Sequence, residues 1–218
     1  MNFKRIYIKS RRYSTLRMKS VIWLGITQEI ERQFKRLKPG VVLDVGGRES
    51  PYKSKVPYLG FVTLDIDASA KPDIVANAEA IPLLDSVFDT VLCIETLEHV
   101  RNPWKVMGEI NRVLKPGGVC ILSTPFIHPY HPAPQDYYRF SSEALADLFK
   151  DFSYVEIIPH GNRLQMFYQF LNIRSSDSIF KALVTDFIAV FLNVLNPLVS
   201  RIKFKDNFPF GHVVYAIK

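Results

Sequence analysis

Two spacings of apolar residues alternate along the chain. Ile22, Leu24, Ile26, Ile30, Phe34 and Leu37 recur at helical intervals, which predicts a helix over about 20–37, ended by Lys38-Pro39-Gly40. Short uninterrupted apolar runs then follow at 41–45, 61–65, 89–94 and 118–123, each rich in Val, Ile, Leu or Phe and bounded by turn residues. Strands without polar alternation are what a parallel sheet covered on both faces requires. Helical segments fit between them, most clearly at 103–114 before Lys115-Pro116-Gly117-Gly118. A further helix fits Ser141 to Phe149, with Ser141 as N-cap and Glu143 favourable in the first turn. Strands are predicted at 153–158 and 212–217. This order predicts an α/β fold with a doubly wound sheet.

The 218 residues suit a substantial core, and 48% hydrophobic with 22% charged residues is a globular composition. The net charge of +7 is unevenly spread: residues 1–28 hold Lys4, Arg5, Lys9, Arg11, Arg12, Arg17 and Lys19, and the first acid is Glu29. The chain therefore divides into a basic arm and helix over 1–38 and a domain over 39–218 with a helical insertion at about 160–211. The arm could meet an anionic membrane or remain a solvated terminus. It lacks the apolar core of a secretory signal. The apolar stretch 180–199 is interrupted by Lys181, Asp186, Asn193, Asn196 and Pro197, which favours an amphipathic helix, packed on the domain or lying on a bilayer, over a span. Cys93 and Cys120 lie inside apolar runs and read as buried thiols of a reducing compartment. A cytoplasmic protein, with peripheral membrane contact through the arm and 180–199, is expected.

Candidate chemistry lies at the strand ends. In Leu43-Asp44-Val45-Gly46-Gly47, Gly46 and Gly47 directly after a strand permit close approach of a ligand to the backbone. Asp44 could organise that loop or bind a cationic amino group. Asp65 falls about twenty residues later, where open α/β sheets place an acid that bonds ribose hydroxyls; the alternative is a turn carboxylate.

The succession Asp44-Val45-Gly46-Gly47, Leu64-Asp65-Ile66-Asp67, Asn77-Ala78-Glu79-Ala80-Ile81-Pro82, Phe88-Asp89-Thr90-Val91, Glu95-Thr96-Leu97-Glu98-His99-Val100 and Leu114-Lys115-Pro116-Gly117-Gly118 resembles the class I S-adenosylmethionine-dependent methyltransferases, type 11 group, over about residues 40–125. The resemblance implies a Rossmann-like, mainly parallel seven-stranded sheet with an antiparallel last strand, and S-adenosylmethionine as cofactor. It implies that Gly46 and Gly47 lie against the methionine part, that Asp65 holds the ribose and that Ile66 packs on adenine. Asn77, where the family often has Asp, would accept from the adenine amino group, Ala78 would supply backbone contacts, and Glu95 would face the cleft. The family's second and third loop glycines are replaced by Arg48 and Ser50. No Gly-x-Gly-x-x-Gly is present, which disfavours a hydride-transferring dinucleotide enzyme.

The segment from Pro125 to Phe140 follows the fifth strand and so begins at the carboxyl end of the sheet. His128, His131 and Asp136 are the candidate catalytic residues, a histidine acting as base for an acceptor hydroxyl with Asp136 orienting it. The alternative is a stiff loop whose polar groups cap neighbouring elements. Pro129 and Pro132 interrupt any helix, so His128-x-x-His131 with Asp136 is set aside as a metal set, and no metal is expected. The His-Pro-x-Pro-x-Asp-Tyr-Tyr-Arg-Phe-like run resembles methyltransferases accompanying surface-polysaccharide synthesis, which implies O-methylation of a sugar hydroxyl, lipid-linked or free. A quinone or other small-molecule acceptor, and a non-catalytic binding module that keeps the fold, are the alternatives. Nucleic acid is disfavoured because the basic residues concentrate at the N-terminus.

Overall fold

The computed structural model describes residues 21–132, 135–161 and 209–218, with the isolated positions 187 and 191. The basic arm, nearly all of the expected insertion at 160–211 and the apolar stretch 180–199 therefore lie outside the described residues, positions 187 and 191 apart. One compact unit comprises Ile26–His160 and Pro209–Lys218; the other, Met1–Gly25 with Gly161–Phe208, falls almost wholly outside the described residues.

In order, the elements are α1 (Val21–Phe34), β1 (Gly40–Val45), β2 (Tyr58–Asp65), β3 (Ile74–Val75), β4 (Phe88–Ile94), α2 (Pro103–Val113), β5 (Leu114–Pro125), α3 (Ser142–Leu148), β6 (Tyr154–His160) and β7 (Gly211–Ile217). They form a seven-stranded sheet in the order β3-β2-β1-β4-β5-β7-β6. The first five of these are parallel, and β7 runs antiparallel to both β5 and β6. The expected mainly parallel sheet with an antiparallel last strand is the sheet observed.

The unalternating strands bury both faces. Val42, Leu92, Ile121, Val213 and Tyr215 pack on one side with Ile26, Ile30 and Phe34, the i, i+4, i+8 stripe of α1. Their sequence neighbours Leu43, Val91, Cys93, Cys120, Leu122, Val214 and Ala216 pack on the other with Val106, Met107 and Ile110 of α2 and Leu145 of α3. Both cysteines are free and buried.

Several boundaries differ from the sequence expectation. The helix predicted to 37 stops at Phe34, where Arg36 and Leu37 N–H groups close tight turns onto Gln33 and Phe34 carbonyls. Gly40 opens β1 instead of only ending the helix, because an added Cβ would stand 2.6 Å from Cβ of Asp89. The Asp89 carboxylate accepts from Val41 N–H and Lys115 Nζ, both at 2.8 Å. Lys115-Pro116-Gly117-Gly118 is not a turn but part of β5, accommodated by a register shift between Phe88 and Thr90 on β4. Here Lys218 Nζ donates to the Asn111 and Leu114 carbonyls at 2.6 and 2.8 Å, satisfying groups at the end of α2. The Ser141 cap of α3 is as expected, its Oγ accepting from Ala144 N–H at 3.2 Å.

Arg112 fastens the irregular segment before β4 to α2. It donates to the Ile81 and Leu83 carbonyls at 2.8 Å each and to the carboxylates of Asp85 and Glu109. Arg112→Met should lower unfolding free energy by about 2 kcal/mol, since four partners lose bonds made by a charged donor and the Leu83 carbonyl loses its Arg112 partner. Urea unfolding checks this; a loss below about 0.5 kcal/mol, the range of ordinary surface changes, would contradict it.

Candidate active site

The carboxyl ends of β1, β2, β4 and β5 converge on one edge of the sheet, as parallel strands require. At β1 the turn is held by Gly46 N–H donating to the Leu64 carbonyl at 2.7 Å. Gly46 has φ +70°, and a Cβ there would meet Thr96 Cγ2 at 2.3 Å. A Cβ on Gly47 would stand 2.2 Å from Oδ2 of Asp44. Asp44 is buried, with only 2% exposed, and accepts from Ser50 Oγ at 2.6 Å. Burial, opposed by the Ser50 bond and reinforced by Asp65, pushes its carboxyl up to about 6. The two loop positions where the resemblance leads one to expect glycine have a glycine-like backbone: Arg48 has φ 46° and Ser50 φ 47°. Each costs about 1–2 kcal/mol in a residue with a Cβ. Ser50 is held there by its bond to Asp44, whereas Arg48 Nη2 reaches only the exposed Asp67 carboxylate, at 3.5 Å.

Asp65, at the end of β2, is buried, and its carboxylate binds backbone: Oδ1 accepts from Asp67 N–H at 2.8 Å and Oδ2 from Arg48 N–H at 3.1 Å. The sequence alternatives of ribose acid and turn carboxylate are thus compatible, because the same group that shapes the loop keeps free lone pairs. Ile66 beside it is 64% exposed, an apolar surface open to a ligand. Asn77 is exposed, and its Oδ1 accepts from Glu79 N–H at 2.9 Å, so one of its amide oxygen's lone pairs is already used. Ala78 is buried.

After β4 the chain passes through Glu95, which has φ 49°, into a short 3₁₀ turn over Leu97–His99. Glu95 is partly buried; its Oε1 accepts from Ser123 Oγ at 2.8 Å. Burial and the neighbouring Glu98 raise its pKa above the carboxylate range. Glu98 itself is fully buried, and neither carboxylate oxygen has a hydrogen-bond partner among the described residues. Its Oε1 lies 3.6 Å from His99 Nε2 and 3.8 Å from His131 Nε2. Glu98 stands within the Glu95–Val100 motif but has no role among the sequence expectations. The available signal was an acid three residues after Glu95, one turn on, wedged between Leu97 and His99.

The loop after β5 is tied to this turn: Tyr137 N–H donates to the Glu98 carbonyl at 2.8 Å, and His99 Nδ1 meets the Gln135 carbonyl at 2.5 Å. His128 and His131 come together, their ring centroids 4.3 Å apart, with His99 5.0 Å from His131. Asp136 is engaged otherwise than expected. Arg139 grips it at 2.5 and 2.6 Å, and its Oδ2 accepts from His131 N–H at 2.9 Å. The side-chain approach to His131 Nδ1 is longer, 3.4 Å. The Arg139 bond and the backbone bond outweigh burial and hold the Asp136 carboxyl well below the usual range. Burial lowers the pKa of His128, whereas the carboxylate of Glu98 raises that of His131.

Residues 59–122 match the family described as a methyltransferase domain, type 11. A 91-residue stretch, 38% of this chain, is 34% identical to a sterol 4-C-methyltransferase of Caenorhabditis elegans and covers 27% of it. A 37-residue stretch, 17% of this chain, is 51% identical to a ubiquinone biosynthesis O-methyltransferase of Psychrobacter cryohalolentis and covers 14% of it. The chain thus spans under a third of these two curated relatives. Among solved structures, a methyltransferase of Thermotoga maritima matches 99% of this chain and 98% of its own, at 16% identity and TM-score 0.60. Phosphoethanolamine N-methyltransferase 2 of Haemonchus contortus, in complex with S-adenosyl-L-methionine, matches 88% of this chain and 52% of its own, at 16% identity and TM-score 0.57. These likenesses show the fold.

Two tests follow from the loop. An acid with pKa about 6 folded and about 3.9 unfolded stabilises the folded state at low pH, and this is lost as pH rises through 6. Asp44→Asn removes a penalty of up to about 3 kcal/mol that exists above that pH. The stability of the variant relative to the parent should therefore increase between pH 4.5 and 7.5; a pH-independent difference rejects the assignment. Arg48→Gly should raise stability by about 0.5–1 kcal/mol, the left-handed strain outweighing the greater unfolded entropy of glycine. Thermal unfolding reads it, and a fall in Tm contradicts it.

Proposed function

We propose that this chain, which has the fold of the class I S-adenosylmethionine-dependent methyltransferases and their type 11 signature over residues 59–122, transfers a methyl group from S-adenosylmethionine to an acceptor hydroxyl. The observation that carries cofactor binding is the glycine turn against Asp44: a buried carboxylate with no cation partner among the described residues, beside two glycines where no Cβ fits. A cofactor bearing an ammonium and a sulfonium would neutralise that charge. Gly46 and Gly47 would admit its methionine part, Asp65 its ribose, Ile66 and Ala78 its adenine, with Asn77 and Glu95 bordering the cleft.

The cofactor supplies an electrophilic methyl group, whose transfer forms a C–O bond and leaves the electrons of the broken C–S bond on a neutral sulfide. The chain's tasks are to align the acceptor, exclude water and take the hydroxyl proton. His128 suits the last task, since burial keeps its ring neutral near pH 7. His131 is the second candidate, and Asp136, locked by Arg139, positions the loop that carries both. Exposed Tyr130 and Tyr137 on that loop suit stacking on a sugar face. A sugar hydroxyl is accordingly the proposed acceptor, and a lipid-linked sugar would also engage the basic residues before Glu29. The likeness to a ubiquinone O-methyltransferase favours a phenolic hydroxyl as second reading.

S-adenosylhomocysteine should bind with measurable heat, and absence of heat would leave a non-catalytic module. Methyl label should enter glycan or lipid fractions and not nucleic acid. At saturating cofactor, His128→Ala should lower turnover about 10²–10⁴-fold, the usual contribution of a general base. Unchanged turnover in His128→Ala, His131→Ala and Asp136→Ala alike overturns the assignment.

A further inference from the structure

We propose that Glu98, His99 and His131 form a binding site for one divalent transition-metal ion beside the proposed methyl-transfer centre. One carboxylate oxygen and the two imidazole nitrogens lie within 4.8 Å of one another. A tetrahedral shell with metal–ligand bonds of about 2.1 Å places ligand atoms about 3.4 Å apart, so the 3.6 and 3.8 Å separations from Glu98 Oε1 need to close by only a few tenths of an ångström.

The orientation of the two rings around a buried carboxylate is the stronger argument. His99 Nδ1 faces the Gln135 carbonyl at 2.5 Å, an acceptor, so it carries the proton and Nε2 turns a lone pair toward Glu98. His131 Nδ1 faces the Pro129 carbonyl at 3.3 Å and Asp136 Oδ2 at 3.4 Å. Arg139 Nη2 is also 3.4 Å away, but its short bond goes to Asp136 at 2.6 Å. His131 thereby takes the same tautomer. Two imidazole Nε2 atoms and a fully buried carboxylate with no hydrogen-bond partner among the described residues thus converge. A carboxylate buried there calls for a cation, which a metal ion shared with the two rings supplies. Imidazole with carboxylate suits zinc, iron(II) or cobalt(II) better than magnesium. The Pro129 and Gln135 carbonyls face the two rings from behind, as outer partners of metal-bound histidines do, and Asp136 holds the His131 backbone N–H. Glu95 Oε1 is occupied by Ser123 Oγ.

This rests on the methyl-transfer reading only for its purpose: with three protein ligands, a fourth position is open, and an acceptor hydroxyl bound there would be more acidic. His131 is then a ligand, and His128 receives the proton. Cobalt(II) titrated into the full chain, without cofactor or acceptor, should give ligand-field absorption saturating at one ion per chain, and zinc should displace it. Glu98→Gln and His131→Asn should each weaken binding at least about 100-fold, and Asp136→Asn about 10–100-fold. S-adenosylhomocysteine calorimetry on the same samples shows that each variant is folded. No cobalt bound by the parent, or equal binding by folded Glu98→Gln and His131→Asn, overturns the site and leaves a proton shared by Glu98 and the histidines. Cobalt bound with no S-adenosylhomocysteine heat sustains the metal site and removes the methyl-transfer reading. Heat with no cobalt does the reverse.

Discussion

The constraint on which the rest depends is a row of acidic side chains held at one edge of an apolar sheet. Asp44, Asp65 and Glu98 are buried at the carboxyl ends of β1, β2 and β4, and Glu95 is partly so. Desolvation of a carboxylate is costly unless bonds or cations compensate, and each group is compensated differently. Asp65 is satisfied by two backbone N–H groups, and Asp44 by one hydroxyl. Glu98 has no hydrogen-bond partner among the described residues. The degree of compensation decreases from the part of the edge that shapes a loop to the part that faces the histidines. Under the proposed function, this gradient separates scaffold from chemistry.

The backbone carries the same division. Gly46, Arg48, Ser50 and Glu95 all have left-handed φ at this edge. Such conformations persist where surrounding structure fixes them. Ser50 is fixed by Asp44, and Glu95 by Ser123, whose carbonyl and hydroxyl both accept from its N–H. The site is therefore shaped before any ligand arrives, which lowers the ordering entropy of binding.

Much of this was legible in the sequence because burial on both faces leaves an unbroken apolar run. The strands ending in Val45, Asp65 and Ile94 could be read for that reason. The two-residue β3 was not legible, since Ile74-Val75 is too short for any period and forms only because β2 offers an edge. The extent of β5 was misjudged because Pro116-Gly117-Gly118 has turn chemistry, and tertiary pairing with Lys218 overrides it. At the site, Asp65 was singled out by its spacing from the glycine turn, whereas Ile66, Asn77, Ala78 and Glu95 were singled out only through the family resemblance. The partner of Asp136 was not, because the choice between His131 and Arg139 depends on how a proline-rich loop folds back. The convergence of His99, 32 residues before His131, onto Glu98 has no local pattern at all.

The position of β7 between β5 and β6 bears on how the chain is assembled. Among the described residues, Tyr154–His160 pairs with no strand but Gly211–Ile217. On a ribosome, β6 emerges about fifty residues before that partner, several seconds at ordinary synthesis rates. Through that interval this partner is absent from both β6 and β5, with Val213 to Ala216 still missing from both faces of the core. Unpaired edges of this kind recruit other chains. The nascent protein thus passes through a stage at which a holding chaperone is most useful, and it ends only when the last strand slides in.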